Sequence, residues 1–509
     1  MFGVSTIAGH GSTPAVTLRN DFFLGIPFAQ PPTGDLRFPN PRPLQVSWKG
    51  ERDATTFSPA CVGYGASQMG YNISEDCLYL NVRRPPGSNM KHHGGFAQGS
   101  GVDLRYNTSF MVQESVSLSQ PILVNQVRDS GDTNVGLRDL RLALQWIQEN
   151  IASFGGDPGK VTIWGQSAGA GSVGIRVMAY NGRDDKLLRS AIMESGSPVA
   201  ISDPDRKGYY QAAYHHLTQL AGCSNAPDSL ECLRSLSFEK LNAAVNTTAL
   251  NSIWFPQIDG DIIARHSSEQ LKEDAFVHVP ILIGTNSDEG TSFTPKGVNN
   301  TEIFKKAIQG SAPLMNASFA DRVLVAYPAR NVLANLDPTY RPGPPHGAQY
   351  RRAATYYGDT QFIASQRLTC ETWSAAGLTA YCFRFNAIPV WATILDGATH
   401  FVEVAFAMLN VLGVSYPPVR IPPFEEKPPS YDNLARLTSG DWIRFVHTGD
   451  VNSKARSRSF GVPRWPRYSL RKPEGSVYDA NVTSHVEPDT YRAEGISLIN
   501  SGVFVVYNK

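Results

Sequence analysis

The segment Gly165 to Gly169 (GQSAG) is the strongest indication of chemistry in the sequence. It directly follows Val161 to Trp164 (VTIW), which predicts a short buried strand, and it opens a predicted helix. A serine on a sharp strand-to-helix turn presents its Oγ above the sheet, and small neighbours are needed because the turn brings the backbone close on both sides. The pattern therefore predicts Ser167 as a nucleophile.

A competing motif overlaps the same segment. Gly169 to Gly174 (GAGSVG) matches G-x-G-x-x-G, and Glu194 ends the next predicted strand, where a dinucleotide site would have its ribose-binding acid. The first glycine of this match lies inside the predicted helix, whereas a pyrophosphate needs the glycines in the turn itself. We therefore favour the nucleophile. A third interpretation is that the small residues only let a helix pack closely on the sheet.

Backbone donors for an oxyanion are predicted upstream, in His92 to Phe96 (HHGGF). Consecutive glycines can aim N–H groups at a developing negative charge, together with the N–H that follows the nucleophile. The three candidates are Gly94, Gly95 and Ala168. A flexible turn and a metal site on the two histidines are the alternatives. Adjacent histidines point to opposite sides of an extended chain, and no H-E-x-x-H or C-x-x-C spacing occurs, so no metal site is predicted.

An acid and a histidine are expected to follow such a serine in that order along the chain. The predicted strand Val279 to Gly284 leads to Asp288 and Glu289, and local sequence does not choose between these neighbouring carboxylates. Beyond them, His400 follows a strand and a turn of small residues, which suits a general base on a loop held by a scaffold. The other histidines in this part stand in a proline-rich loop, near a helix end and beside a sequon: His346, His447 and His485.

The elements that must position these residues alternate between strands and helices, as in a mostly parallel sheet with crossover helices. The clearest unit is predicted as strand, helix, strand, helix, strand: Ile122 to Val127, Val135 to Phe154, Val161 to Trp164, Ser167 to Tyr180 and Leu188 to Glu194. Further on, a helix is predicted for Phe362 to Ala376, a strand for Ala380 to Phe385, and an amphipathic helix around Trp442 to Val446. No repeat or linker is evident, so one domain spanning 1–509 with long insertions is predicted.

Composition excludes several classes of protein. The chain has 509 residues with 41% hydrophobic and 18% charged side chains, typical of a globular chain with a large core. Its 46 basic and 45 acidic side chains give a net charge of +1, which provides no field to attract a nucleic acid. No stretch reaches the roughly 18 apolar residues of a membrane span, since Val402 to Val414 is interrupted by Glu403 and Asn410.

Cysteines and sequons point to an oxidising, extracellular compartment. Six cysteines fall in three neighbouring pairs, and six Asn-X-Ser/Thr sequons occur. Residues 1–16 contain no basic stretch followed by an apolar one, as a secretory signal would. We therefore expect a secreted protein whose signal-bearing start is missing from this sequence. The candidate glycosylation sites are Asn72, Asn107, Asn246, Asn299, Asn316 and Asn481.

Taken together, these motifs resemble the type-B carboxylesterase/lipase family, the cholinesterase-like α/β hydrolases, and its fungal members in particular. The similar stretches cover nearly the whole chain: FLGIPFAQPPTGDLRF, SEDCLYLNV, the segment from Asn134 to Ala170, NSDEGTSF and TYRAEGISLINS. The resemblance implies an α/β-hydrolase fold, with a central, mostly parallel sheet flanked by helices. It also implies a carboxylic ester hydrolase that needs no cofactor.

The family pattern assigns roles to individual residues of this chain. It implies the nucleophile Ser167, the acid Glu289 rather than Asp288, the base His400 and the oxyanion donors Gly94, Gly95 and Ala168. It further implies two disulfides and one structural ion pair: Cys61–Cys77, Cys223–Cys232 and Arg37–Glu75. Cys370 and Cys382 match no bridge of the family pattern.

The chain departs from the family at two places. Between Val82 and Gly94 the family has an apolar strand, whereas here Met90 is the only strongly apolar residue, and His93 stands where the family has its first glycine. After ILVNQV, a long family segment is reduced to RDSGD. These two internal deletions predict a sheet that lacks a central strand, and indicate a faulty gene model or a decayed gene.

We expect a carboxylic ester hydrolase that forms an acyl-enzyme and acts on soluble or short-chain esters. Lipases of the family carry a long amphipathic lid between the first two cysteines, but here Cys61 and Cys77 enclose only VGYGASQMGYNISED. The alternative is a catalytically impaired or non-enzymatic binding or adhesion relative of the same fold. No oligomeric state is predicted.

Overall fold

The computed structural model describes most of the chain, which divides into two compact units. The first unit comprises Met1–Val161 and Asp203–Ala264, and the second Thr162–Ser202 and Arg265–Lys509. The single domain indicated by the sequence stays a prediction. The described residues are 21–45, 50–64, 72–84, 90–91, 103–106, 108, 111, 123–126, 134–199, 202, 209–250, 255–329, 341–414, 422–453, 458 and 460–509.

The strands of these residues form a four-stranded and a six-stranded sheet. In chain order they are β1 (Asp21–Pro27), β2 (Tyr79–Arg84), β3 (Met90–Lys91), β4 (Leu123–Gln126), β5 (Thr162–Gln166), β6 (Ser190–Glu194), β7 (Ile281–Asn286), β8 (Ala380–Phe385), β9 (Glu474–Tyr478) and β10 (His485–Pro488).

The α-helices of the described residues are α1 (Val135–Asn150), α2 (Ala168–Gly182), α3 (Tyr209–Ala221), α4 (Ser229–Ser235), α5 (Phe238–Val245), α6 (Ser267–Lys272), α7 (Thr301–Ser311), α8 (Ala317–Ala326), α9 (Tyr350–Gly358), α10 (Ala364–Ala375), α11 (Val404–Ala407), α12 (Ser430–Thr448) and α13 (Ala493–Ser501). A π-helical segment, Asp359–Ile363, joins α9 to α10. None of the described helices combines the length and apolar character needed to cross a membrane.

In the first unit the sheet has the order β1-β2-β4-β3. Strand β2 pairs antiparallel with β1 and β4, and β3 pairs parallel with β4. Strand β3 lies in the stretch where we expected a central strand to be missing, and the residues on either side of it, 85–89 and 92–100, lie outside the described residues. The missing strand therefore stays a prediction.

The first unit contains the ion pair that the family resemblance implies. Arg37 donates from Nε and Nη2 to the two carboxylate oxygens of Glu75, each at 2.7 Å. Its Nη1 donates to three backbone carbonyls at the end of α4: those of Leu233, Arg234 and Leu236. The Arg37 side chain is buried, so these bonds satisfy its charge inside the unit.

Three disulfides are present. Cys61–Cys77 and Cys223–Cys232 lie in the first unit, as the family resemblance implies. The third, Cys370–Cys382, links α10 to β8 in the core of the second unit.

The second unit holds a sheet in the order β10-β9-β8-β7-β6-β5. Strands β5 to β9 are all parallel, and β10 pairs antiparallel with β9. Every residue of β6 and β7 is buried, as expected for parallel strands covered on both faces. Helices α2 and α10 supply Val177 and Trp373 to the core beside Ile281 and Met193.

The predicted elements of this unit are found with small shifts at their ends. The strand Ala380–Phe385 has the bounds predicted from the sequence. The helix predicted for Phe362 to Ala376 is instead the end of the π segment followed by α10.

Candidate active site

Ser167 stands on the turn between β5 and α2, as predicted. Its backbone has φ 57° and ψ −124°, a left-handed conformation that a non-glycine residue adopts only where the surroundings hold it. The Ser167 N–H donates to the carbonyl of Glu194 at 2.8 Å, which fixes the turn to β6. A Cβ on Gly165 would lie 2.1 Å from the carbonyl carbon of Gly169, so the turn closes only with glycine at position 165.

The structure brings Ser167, His400 and Glu289 into one hydrogen-bonded chain. The Oγ of Ser167 lies 2.8 Å from Nε2 of His400, and Nδ1 of His400 lies 2.6 Å from Oε2 of Glu289. The carboxylate accepts a hydrogen bond from Nδ1–H, so Nε2 is left as the acceptor for the serine hydroxyl. Sequence reasoning left the acid open between two neighbours, and Glu289 is the one that contacts His400.

The second oxygen of Glu289 is also fully engaged. Oε1 accepts the hydroxyl of Ser195 at 2.5 Å and the backbone N–H of Asn286 at 2.8 Å. Sequence reasoning missed Ser195 and Asn286. Both stand at or just beyond the carboxyl ends of neighbouring parallel strands, β6 and β7, where polar side chains of α/β proteins gather, and that position was the available signal.

Buried charges raise the basicity of His400. Burial alone would lower its pKa, but the charge and hydrogen bond of Glu289, together with the charge of Glu403, outweigh burial and raise the pKa above 6.5. Glu403 is itself buried and receives the side-chain amide of Asn286 at 2.5 Å. Burial, followed by the charge of Glu289, raises the pKa of Glu403.

Two aromatic rings lie against the imidazole of His400. The ring of Phe293 is 4.9 Å from it, centre to centre, in an edge-on arrangement, and that of Phe362 is 4.8 Å away at 30°. Phe362 belongs to the π segment, a conformation that periodicity did not indicate. Phe293 is 40% exposed, so it forms an accessible edge of the site.

The structure argues against the dinucleotide interpretation. All glycines of the GAGSVG match lie inside α2 rather than in the turn. The carboxylate of Glu194 is fully buried and accepts the indole N–H groups of Trp164 at 2.9 Å and Trp442 at 2.7 Å. A carboxylate held by two indoles in the core has no access to a ribose.

The remaining site predictions stand as follows. Ala168 is the first residue of α2, where an N–H has no partner within the helix. Gly94, Gly95 and Asn107 lie outside the described residues. No group of three or more potential metal ligands occurs among the side chains that the structure describes. The other candidate sequon asparagines are exposed: Asn72, Asn246, Asn299, Asn316 and Asn481.

The rejected histidines have local roles. The ring of His346 packs against Tyr350 at 4.7 Å, and His485 contacts the carbonyl of Thr483 at 3.1 Å. His447 lies in the last turn of α12.

The parallel sheet with helical crossovers and a serine on the β5–α2 turn define an α/β hydrolase. The model of the Carboxylesterase family matches residues 4–494, so the chain belongs to that family and is a carboxylic ester hydrolase.

Fungal relatives support this assignment. A secreted triacylglycerol lipase of Gibberella zeae is 35% identical over 96% of this chain and 88% of its own length. Secreted lipase 1 of Botryotinia fuckeliana is 31% identical over 91% of this chain and 85% of its own. Aspergillus niger EstA, a solved structure at 24% identity, superposes with a TM-score of 0.81 and covers 96% of this chain and 95% of its own; this match confirms the predicted fold.

Proposed function

We propose that the protein hydrolyses carboxylic esters with Ser167 as nucleophile, His400 as general base and Glu289 as the acid that orients it. The observation that carries the proposal is the continuous chain of contacts, 2.8 Å from Ser167 to His400 and 2.6 Å from His400 to Glu289. These are the distances that proton transfer requires. The left-handed backbone of Ser167 holds its hydroxyl at the carboxyl edge of the sheet.

In the first half-reaction, Oγ of Ser167 bonds to the ester carbonyl carbon while its proton moves to Nε2 of His400. The carbonyl electrons shift to oxygen, where we place the N–H of Ala168 and those of Gly94 and Gly95 as donors. Collapse of this intermediate breaks the bond to the alcohol, which leaves with the proton from His400. The ionised carboxylate of Glu289 stabilises the imidazolium formed on the way.

In the second half-reaction, His400 removes a proton from water, and the hydroxide attacks the acyl group on Ser167. The carboxylic acid leaves, and Ser167 regains its proton. No cofactor takes part in these steps.

As substrates we propose soluble or short-chain esters. The segment between Cys61 and Cys77 has only fifteen residues, three of them glycine, and no apolar spacing of three and four that would make an amphipathic lid. A second candidate, emulsified triacylglycerol, is favoured by the 35% identity to the triacylglycerol lipase of Gibberella zeae.

We further propose that the protein acts outside the cell. Three disulfides are stable in an oxidising compartment, and two of its fungal relatives are named as secreted.

Reaction with an organophosphonate ester tests the triad. We expect the folded chain to gain one phosphonyl group, located by peptide mass analysis on Ser167. Ser172 is a suitable matched control, because it lies in α2, which begins directly after Ser167, and donates its hydroxyl to the carbonyl of Ala168 rather than to a histidine. Ser172→Ala should label normally and Ser167→Ala should not. A folded chain that remains unlabelled would favour a non-enzymatic relative of the fold.

A further inference from the structure

Asp288, the neighbour of the proposed acid, contacts the loop that carries His400. The backbone N–H of Asp288 donates to the carbonyl of Ala398 at 3.0 Å, and the N–H of Ala398 donates back to Oδ2 of Asp288 at 2.9 Å. These two bonds close a ring between the end of β7 and the residue two positions before His400. The loop is therefore held at one point by a side chain that does not touch the imidazole.

The loop is fitted closely to this carboxylate. Gly397 has φ +65°, and a Cβ there would lie 2.2 Å from Oδ2 of Asp288. Any side chain at position 397 would push the loop away from Asp288 and would also strain the backbone.

Asp288 occupies a costly position for a carboxylate. It is 1% exposed, and its Oδ1 has no hydrogen-bond partner among the described residues. Burial raises the pKa of Asp288 to about 7, although the charges of Arg492, Arg384 and Arg351 and the N–H of Ala398 lower it. The Tyr491 phenol also faces this group. A buried polar atom without a partner destabilises a fold, so the position calls for a compensating role.

We propose that Asp288 is a positioning residue for the general base: by holding Ala398 it fixes His400 between Ser167 and Glu289. The inference rests on the proposed function, and it assigns the two adjacent carboxylates different tasks. Glu289 orients the imidazole directly, whereas Asp288 acts on the backbone that carries it. Asn286 and Thr291 also bind this loop, at Thr399. Displacement of a reacting group by about 1 Å can cost about a hundredfold in rate, so the loss of one of these anchors has a measurable effect.

The first experiment compares two substitutions at position 288 with a soluble aryl ester as substrate. We expect Asp288→Ala to lower kcat by about 10- to 100-fold and to change KM by less than about twofold, because the substrate contacts are unaffected. Asp288→Asn keeps an oxygen acceptor for Ala398, so it should retain kcat within about fivefold even if its melting temperature falls.

Glu487→Gln is the matched control for damage to the charge network. Glu487 binds Arg384 through both oxygens at 2.8 Å, and Arg384 is one of the arginines that face Asp288. The control therefore removes one charge from the same network without touching the histidine loop. We expect its kcat to remain within about twofold. An equal loss in Glu487→Gln and Asp288→Ala would overturn the proposal.

Gly397→Ala tests the same anchor from the loop side and remains informative if Asp288→Ala does not fold. It should lower kcat with little change in KM. In the double variant with Asp288→Ala, the steric conflict with the carboxylate is removed, so the two losses should combine to less than their product. Losses that multiply independently would contradict an anchor formed by these two residues.

A readout independent of turnover separates this inference from the proposed function. The pKa of His400 can be measured by NMR titration of protein labelled with nitrogen-15 histidine, and its signal is assigned by its loss in His400→Gln. This pKa should fall in Asp288→Ala, because a displaced loop weakens the contact of His400 with Glu289. It should stay unchanged in Asp288→Asn. Equal shifts of the His400 pKa in both variants would show that the lost charge of Asp288 is the cause, and would reject a positioning role for Asp288. If the pKa of His400 shifts in the two variants as expected but the wild-type protein hydrolyses no ester, the proposed function is rejected and the positioning role of Asp288 is not.

Discussion

Ser195 donates its hydroxyl hydrogen to the oxygen of Glu289 that His400 does not touch, at 2.5 Å. The N–H of Asn286 donates to the same oxygen, and Nδ1–H of His400 donates to the other. Each hydrogen bond of this carboxylate to the described residues therefore comes from a donor. The site therefore requires a group that accepts on both sides. An ionised carboxylate does so, whereas an amide always presents its NH₂ to one of these donors.

From this relationship we predict that Glu289→Gln lowers kcat/KM for a soluble aryl ester by about 10³- to 10⁴-fold. The amide no longer holds His400 in the tautomer and orientation that accept the proton of Ser167. Asp288→Asn should cost less than about tenfold, since its acceptor for Ala398 is kept. Steady-state kinetics of both folded variants is the measurement. The reverse ranking would move the acid's role to Asp288.

The nucleophile gives the second prediction. Ser167→Ala should lower kcat by at least about a thousandfold, because only the attacking oxygen is removed. The thermal unfolding temperature should stay close to wild type, since position 167 opens a helix surrounded by small residues. Turnover equal to that of the wild type would mean that another group attacks the ester.

The pH dependence of kcat/KM gives the third prediction. His400 accepts the serine proton only when Nε2 is unprotonated, so activity should rise with pH through the pKa of the free enzyme's His400. Since Glu289 and Glu403 raise that pKa, the midpoint of the acid limb should lie above 6.5. Two esters with different leaving groups should give the same midpoint. A midpoint below 6.5 would contradict the electrostatic picture of the site.

Sequence could nominate Ser167, His400 and the acids as candidates because each lies in a short local pattern. These patterns are a serine between small residues after a strand, acids after a later strand, and a histidine after a small-residue turn. Ser195 and Phe362 reach the site because distant segments meet. The contact between Ser195 and Glu289 spans 94 residues of sequence, and no local pattern shows that these two residues pair. Asn286 lies only three residues before Glu289, and its place at the end of β7 was the available signal.

Element bounds show the same limit. Periodicity predicted a helix from Phe362, but the chain there forms a π turn that ends at Ile363. Residues of the π segment bind side chains that are distant in sequence. Asp359, for example, accepts hydrogen bonds from Arg492 and Tyr327. Between Val82 and Gly94 the lack of apolar residues predicted a missing central strand, and that prediction stays open because only Met90–Lys91 lies within the described residues beyond Arg84.

The fourth prediction concerns the stability of the first unit. Arg37→Lys should lower its free energy of unfolding by about 2–4 kcal/mol, because one ammonium group cannot span both oxygens of Glu75 and three carbonyls. Lys160→Gln is the control, since Lys160 pairs with Asp157 at 2.7 Å on the surface of the same unit and its loss should cost less than about 1 kcal/mol. Denaturant unfolding measures both, and equal losses would contradict a special role for Arg37.

The last prediction concerns activation by an oil surface. Hydrogen bonds hold the described ends of the Cys61–Cys77 segment. Ala60 and Asn72 are joined by a backbone hydrogen bond of 2.8 Å, and Tyr64 donates its hydroxyl to Asn242 of α5 at 2.9 Å. Asn72 is exposed, and a sugar attached there would place a hydrated group where a lid would meet oil. A flap that opens at an interface needs a free, amphipathic segment, whereas this one is short and glycine-rich, and its described ends are held by hydrogen bonds.

We therefore expect hydrolysis of a short-chain triglyceride to follow simple saturation as its concentration crosses the solubility limit. The rate should be measured with the triglyceride first in true solution and then as an emulsion, with a soluble aryl ester as the reference for active enzyme. The fungal relatives named as lipases make the opposite result a real alternative. A sharp rise in rate only after the emulsion forms would show that the short segment does not prevent interfacial activation, and would favour triacylglycerol as the substrate.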